Sequence, residues 1–271
     1  MEWVKSLAGK VGAWFSVLIW IFPIYWVALT TIKPVEEIMS ATPVFIFEPT
    51  LEHFRNVFEA YDFAYVLFNS LFIVSIATLV SMIVSLLAAY GLAVFNLKHR
   101  EFIALTILSL KFLPAVALAV PYYVLFQGLG LLDTHIVMII VYIGFSIPFA
   151  LFLLYGFLKE VPSELIHAAM IDGYGHLTIL RKIVLPIAMP GIAVTAMFTF
   201  IFSWNEFLLA LFLTDSTATT IPVSVSRFVQ SYQVLWGEIS AAGLMAMVPM
   251  LALVFYLQKY IVRGLTFGAV K

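Results

Sequence analysis

From Phe63 to Leu97 the chain carries no Asp, Glu, Lys or Arg. Runs of similar apolar character occupy about 11–32, 66–92, 102–126, 136–158, 187–212 and 239–258, interrupted only by Lys111 and Glu206. A helix needs about 20 predominantly apolar residues to cross the hydrocarbon of a bilayer. Each run is long enough, and backbone in lipid must satisfy its own hydrogen bonds, which helices do. The expected fold class is therefore all-α: a polytopic helical membrane protein with six transmembrane helices. The 271 residues, 63% hydrophobic and 11% charged, read as one transmembrane domain over 1–271. With no Cys, disulfides and thiolate metal sites are excluded. Nucleic-acid binding is not supported, because no stretch combines clustered Lys and Arg with a recognisable module.

Orientation follows from where the basic residues lie. Six spans put both termini on one side. That side holds Lys5, Lys10, Lys98, Arg100, Lys159, Arg181, Lys182, Lys259, Arg263 and Lys271, and the other only Lys33, Arg55 and Arg227. The positive-inside rule then places both termini, and the segment between the fourth and fifth spans, in the cytoplasm. A cleaved signal peptide is the rival reading of the first run; its apolar core is too long and no small-x-small site follows closely.

That fourth-to-fifth segment, about 159–186, is the most polar long stretch between apolar runs. Pro162 suits the first turn of a helix, and Ala168 and Ala169 present a nearly bare backbone. Asp172-Gly173 signals a turn. Leu177, Leu180 and Val184 then recur at helical spacing, with Pro186 expected to close a second short helix. By its composition alone the stretch also suits an amphipathic helix lying on headgroups.

The spacing decides between these readings. His167-Ala168-Ala169 followed by Asp172-Gly173, and then, about nine residues on, Ile183-Val184-Leu185-Pro186, resembles the signature loop of permease subunits of binding-protein-dependent ABC importers. The resemblance is to the carbohydrate-uptake, maltose-type class. It departs at His167, where that family usually has an acid. Asn69-Ser70, Pro114 and Pro121, Trp204-Asn205 and the tail Arg263-Gly264-Leu265-Thr266 extend the likeness along nearly the whole chain. It implies that Glu164, His167, Ala168, Ala169, Asp172, Gly173, Leu185 and Pro186 form a coupling helix seated in an ATPase groove. The two Ala would face that groove, and Gly173 would take positive φ. It also implies a C-terminal strand, with Arg263, Gly264 and Gly268, reaching between the ATPases. The implied assembly contains a second homologous permease, two ATPase subunits that bind ATP and Mg, an extracytoplasmic solute-binding protein and a sugar. This chain itself would hold no cofactor, and its place would be the inner membrane.

Intramembrane charges mark functional candidates, since a central charge costs about 2.5–3.5 kcal/mol on insertion scales. Lys111 and Glu206, with neighbouring Asn205, are accordingly candidates for the translocation pathway. The plain alternatives are a structural contact of Lys111 with the carbonyl end of a broken helix, and snorkelling of Glu206 to the outer interface. Pro114, Pro121 and Pro148 free carbonyls that neighbours or a cavity must satisfy. The polar stretch from Thr214 to Glu238, with Asp215, Arg227, Gln230 and Gln233, is expected to meet the binding protein. Catalysis finds no support: there is no Gly-rich phosphate loop, no H-E-x-x-H helix and no Gly-x-Ser-x-Gly elbow. A stand-alone secondary transporter or channel is the rival class, and it would ask for more buried acids than Glu206.

Overall fold

The computed structural model describes residues 2–266, and among these no strand forms beyond one isolated bridge between Val229 and Val234. The helices in chain order are α1 (Glu2–Thr30), α2 (Val35–Ile38), α3 (Glu52–Glu59), α4 (Phe63–Val94), α5 (Arg100–Ser109), α6 (Ala115–Gly128) and α7 (His135–Lys159). Then come α8 (Ser163–Ile171), α9 (His176–Ile179), α10 (Leu185–Trp204), α11 (Leu208–Leu213), α12 (Ile221–Ser226) and α13 (Trp236–Thr266). Contacts divide the chain into two compact units: Met1–Tyr65 with Ser224–Val248, and Val66–Val223 with Pro249–Lys271.

Five helical stretches are long and apolar enough to cross a membrane: Gly12–Thr30, Phe63–Val94, His135–Lys159, His176–Trp204 and Trp236–Tyr260. The expected third span differs. A 3-10 turn, Leu110–Phe112, ends α5, and α6 leaves at 81° to it. Pro114 explains the break: it has no N–H to continue the ladder and forces Leu113 into extended backbone, φ −63° and ψ 125°. Counting the bent pair as one crossing gives six spans.

The expected fifth span also differs at both ends. Pro186 does not close a short helix. Helical structure runs from α9 through a π-turn, Leu180–Val184, directly into α10. A proline ring clashes with the carbonyl four residues back, here Lys182, and a widened turn removes that clash. At the other end α10 stops at Trp204, so Asn205 and Glu206 sit in a break before α11 rather than inside a span.

In the larger unit, one apolar cluster joins α4, α7 and the α8–α10 region. Ala89, Tyr90, Leu154, Leu158, Ile179 and Val184 are among its buried members. In the smaller unit, His53 is 1% exposed and links three pieces of chain. Its Nε2 lies 2.8 Å from the Lys33 carbonyl, and its Nδ1 lies 3.3 Å from Glu238 Oε1. Asn56 donates to that same oxygen. Gly237 allows this packing, because a Cβ there would fall on the His53 ring.

Candidate coupling loop and intramembrane cluster

The loop after α7 is built around an elbow with a defined hydrogen-bond pattern. Pro162 precedes α8, and Asp172 caps its C-terminus. Gly173 adopts φ +81°, which glycine takes without a Cβ penalty. Its N–H donates to the Met170 carbonyl and the Tyr174 N–H donates to Ala169, both at 3.0 Å. These two bonds form a Schellman cap, which satisfies carbonyls that the end of a helix otherwise leaves open.

The two faces of this loop differ. Ile166, Ala169, Ile179, Leu180 and Val184 are buried in the cluster shared with α4 and α7. Ile171 and Leu177 are 86% and 73% exposed, and Leu165 and Tyr174 also lie open. Glu164, His167, Ala168 and Asp172 are exposed, as is Pro186, while Leu185 is half-buried. The expectation that Ala168 and Ala169 share an outward face is therefore corrected. Neighbouring helical positions point about 100° apart, and Ala169 follows Ile166 by three residues onto the inner face. His176 packs edge-on against Phe95 with ring centres 4.7 Å apart, and its Nδ1 lies 3.3 Å from the Tyr90 hydroxyl.

Within the spans, polar groups converge on one stretch of α7. Lys111 Nζ donates to the Phe145 carbonyl at 3.1 Å and lies over the Phe145 ring. The acceptor is thus on a neighbouring, proline-containing helix, not on the end of the broken helix that carries Lys111. Ser81 and Ser85 of α4 donate to the carbonyls of Ile143 and Ile147. Pro148 removes the helical partner of Gly144, which lines a cavity of about 190 Å³ together with Lys111, Tyr122 and Phe145. Ser146 and Ser203 hydroxyls pair at 3.1 Å.

Glu206 does not snorkel. It is 8% exposed, and its two carboxylate oxygens accept from the N–H groups of Leu209 and Ala210 at 2.8 and 3.1 Å. It closes the open end of α11, while its own carbonyl accepts from the buried Tyr142 hydroxyl. Lys111 and Glu206, remote in sequence, thus contact α7 within about one turn of each other, at Phe145 and Tyr142. Asn205 is exposed, and its side-chain amide turns back onto the Ile201 carbonyl.

Residues 3–267 match the family described as Binding-protein-dependent transport system inner membrane component. The chain belongs to that family. Its relatives include the "Probable ABC transporter permease protein y4oR" of Sinorhizobium fredii, 37% identical over 93% of this chain and 91% of that one. The sulfoquinovosyl glycerol transport system permease protein SmoH of Agrobacterium fabrum is 34% identical over 93% and 89%. The trehalose/maltose transport system permease protein MalG of Thermococcus litoralis is 31% identical over 100% and 98%. In fold, the chain is similar to a solved bacterial ABC transporter involved in alginate import, with a TM-score of 0.76 at 20% identity, covering 96% and 97% of the two chains.

In this permease the C-terminal tail departs from the expected strand. α13 continues as helix through Arg263 and Gly264 to Thr266, and Gly268 lies outside the described residues.

Sequence reasoning missed the permease's other polar junction. Asp133, at φ +56°, accepts from the backbone N–H groups of Asp215, Ser216, Thr217 and Ala218 at 2.8–3.1 Å. Burial raises its pKa, but these four donors outweigh it and hold the carboxyl well below the ordinary 3.8. Asn69 donates to the Thr217 carbonyl and meets His135 Nε2 at 2.8 Å. Ser70 accepts from the Ile221 N–H. Asn69-Ser70 was visible in the sequence as a family-like dipeptide, whereas nothing in the sequence singled out Asp133.

Proposed function

We propose that this permease imports a sugar, working with a second homologous permease, two ATPase subunits and an extracytoplasmic binding protein. Its α8–α9 loop is the element that seats in an ATPase subunit. Both termini and that loop lie in the cytoplasm, a reading supported by the excess of basic residues on that side. ATP and Mg are bound by the ATPases, and this chain carries no cofactor. The sugar assignment is supported by relatives named for trehalose/maltose, diacetylchitobiose and trehalose transport. The binding protein docks from the other side, where the residues after Thr214 lie.

One observation carries the coupling role: the loop packs an apolar inner face yet also leaves large apolar side chains exposed at its elbow. Its inner face belongs to the same packed cluster as α4 and α7, whereas Ile171 and Leu177 stand in solvent at the elbow. An exposed apolar patch of this kind marks a partner surface. Its inner packing lets a displacement of the loop reach the spans, because close-packed interiors transmit strain. Closure of the ATPases would push on Ile171 and Leu177 and shift α7 and α10 together. Those helices carry the Lys111 and Glu206 contacts, so the pathway would open and close at that cluster, with Asn205 exposed beside it. Arg263 and Gly264 add a second ATPase contact at the tail, together with Gly268.

Co-purification of tagged permease with its ATPase tests this role. Ile171→Asn with Leu177→Asn is expected to leave the permease in the membrane at normal levels and to lose the ATPase. Retained ATPase and full ATP-dependent uptake would remove the loop from coupling. Uptake that persists without ATP but stops when the proton gradient is collapsed would point to a secondary transporter instead.

A further inference from the structure

The unit made of Met1–Tyr65 and Ser224–Val248 contains a cavity of about 700 Å³ that none of the elements above uses. Trp26, Thr30, Lys33, Glu37, Trp236 and Ser240 are among the residues lining it. Its volume falls within the range of about 300–1,000 Å³ common for small-molecule sites.

Two charged groups on its wall have unmet chemistry. Lys33 is 2% exposed, yet its Nζ makes no hydrogen bond or ion pair with any described residue. It rests over the Trp26 ring at 4.3 Å and near the Phe47 ring at 5.5 Å. Glu37 has one carboxylate oxygen, Oε2, buried without a hydrogen-bond partner. The two side chains line the same space without forming an ion pair. Burying charge without such partners is costly unless a ligand completes the set. The wall itself is fixed from behind, because the Lys33 carbonyl is held by His53, which Glu238 holds in turn.

The kind of ligand follows from hydrogen-bond capacity. An ammonium only donates and a carboxylate only accepts. An anion would satisfy Lys33 but repel Glu37, and a cation would do the reverse. A hydroxyl both donates and accepts, so a neutral polyol satisfies both without bringing in charge. The apolar faces of Trp26 and Trp236 suit the C–H face of a sugar ring. We propose that this cavity is a binding site for a neutral saccharide of one or two rings, additional to the cluster around Lys111 and Glu206. That its occupant is the transported solute rests on the sugar reading above; the preference for a neutral polyol does not.

The test is a tryptophan-fluorescence titration of the assembled transporter in lipid nanodiscs, without binding protein. Glucose, maltose and trehalose are the probes and glucuronate is the acidic comparator. At least one neutral sugar should give a saturable change, with glucuronate about tenfold weaker. Trp236→Phe should remove most of the signal. Glu37→Ala and Lys33→Met should each weaken apparent affinity about tenfold, and Glu37→Gln, whose amide oxygen still accepts, by less. No saturable change with any neutral sugar, equal or tighter binding of glucuronate, or wild-type titrations in Glu37→Ala and Trp236→Phe would each overturn the proposal. So would a cavity filled by protein: a cysteine in Ser240→Cys would then label with a small thiol reagent in the isolated permease but not in the assembled transporter. Uptake separates this outcome from the broader reading. A transporter that imports one of these sugars while the variants titrate like wild type sinks only the cavity, whereas import of no saccharide sinks the sugar reading.

Discussion

The loop at Gly173 and the junction at Asp133 are both polar turns between apolar helices, and they have opposite surfaces. Asp133 is saturated, with four backbone N–H groups converging on one carboxylate. The α8–α9 elbow satisfies its own backbone through the Schellman bonds and leaves Ile171 and Leu177 in solvent. A junction whose hydrogen bonds are all met inside one chain stabilises that chain. A turn that satisfies its backbone but leaves apolar side chains in solvent can offer them to a partner, as the proposed coupling role requires. The contrast predicts that stability and assembly respond to different residues.

The largest loss of stability should come from Asp133→Ala, which leaves several backbone donors without their acceptor. Hydrogen bonds to charged groups contribute about 1.5–3 kcal/mol each, and partial exposure reduces the total, so about 3 kcal/mol is expected. Thermal unfolding of the purified permease measures it, and co-purification of the ATPase should not change. An unfolding temperature equal to wild type would break the comparison. The same junction has a pH signature. Its folded carboxyl ionises well below the ordinary 3.8, so its stabilisation is fully present above about pH 4 and is lost as pH falls towards the folded value. The stability gap between wild type and Asp133→Asn should be constant from pH 7 to pH 5 and shrink below pH 4.

Next comes Ala169→Leu, where the side chain must fit into a packed cluster. Overpacking of this kind costs about 1–3 kcal/mol, so this variant should lose stability and ATPase together. Gly173→Val places a β-branched residue at φ +81°, a strain of about 1–2 kcal/mol. Its larger effect should be on assembly, because the elbow sets the direction of Leu177. The smallest stability change, near zero, is expected for Ile171→Asn, which alters an exposed side chain, and here the ATPase should be lost on purification. If Ile171→Asn retained the ATPase while Asp133→Ala lost it, the roles of the two regions would be reversed.

Much of this fold was legible in advance because an uncharged run of about 20 residues has few alternatives in a membrane. α7 spans His135–Lys159, against an expected 136–158, since its ends carry charge and its middle does not. The bend at Leu113–Pro114 was not legible, because proline is also tolerated within membrane helices, as Pro148 and Pro249 are here. The π-turn before Pro186 was missed for the same reason. Ala169 was placed outward because a pair of small residues reads as a contact surface. Its burial depends on Ile166 and on helices far away in sequence. Asp133 was silent because its partners lie 82–85 residues later. Lys111 and Glu206 were singled out by their cost in lipid, but only the folded chain brings them to the same turn of α7.

The π-turn at Leu180–Val184 also bears on which insertions and deletions the permease tolerates. A π-turn holds one residue more than the α-helical turn it replaces. Deleting one residue there would restore an ordinary turn, drive the Pro186 ring onto the carbonyl four residues back, and swing Ile171 and Leu177 by about 100° relative to α10. Adding one would swing them by a similar angle the other way. The length of this stretch is therefore set at one end by a proline that needs the extra room and, on the proposed coupling role, at the other by a surface that has to point at an ATPase. A shift in residue count there would turn Ile171 and Leu177 away from the partner proposed for them, whereas a substitution at an exposed position such as Arg181 would not.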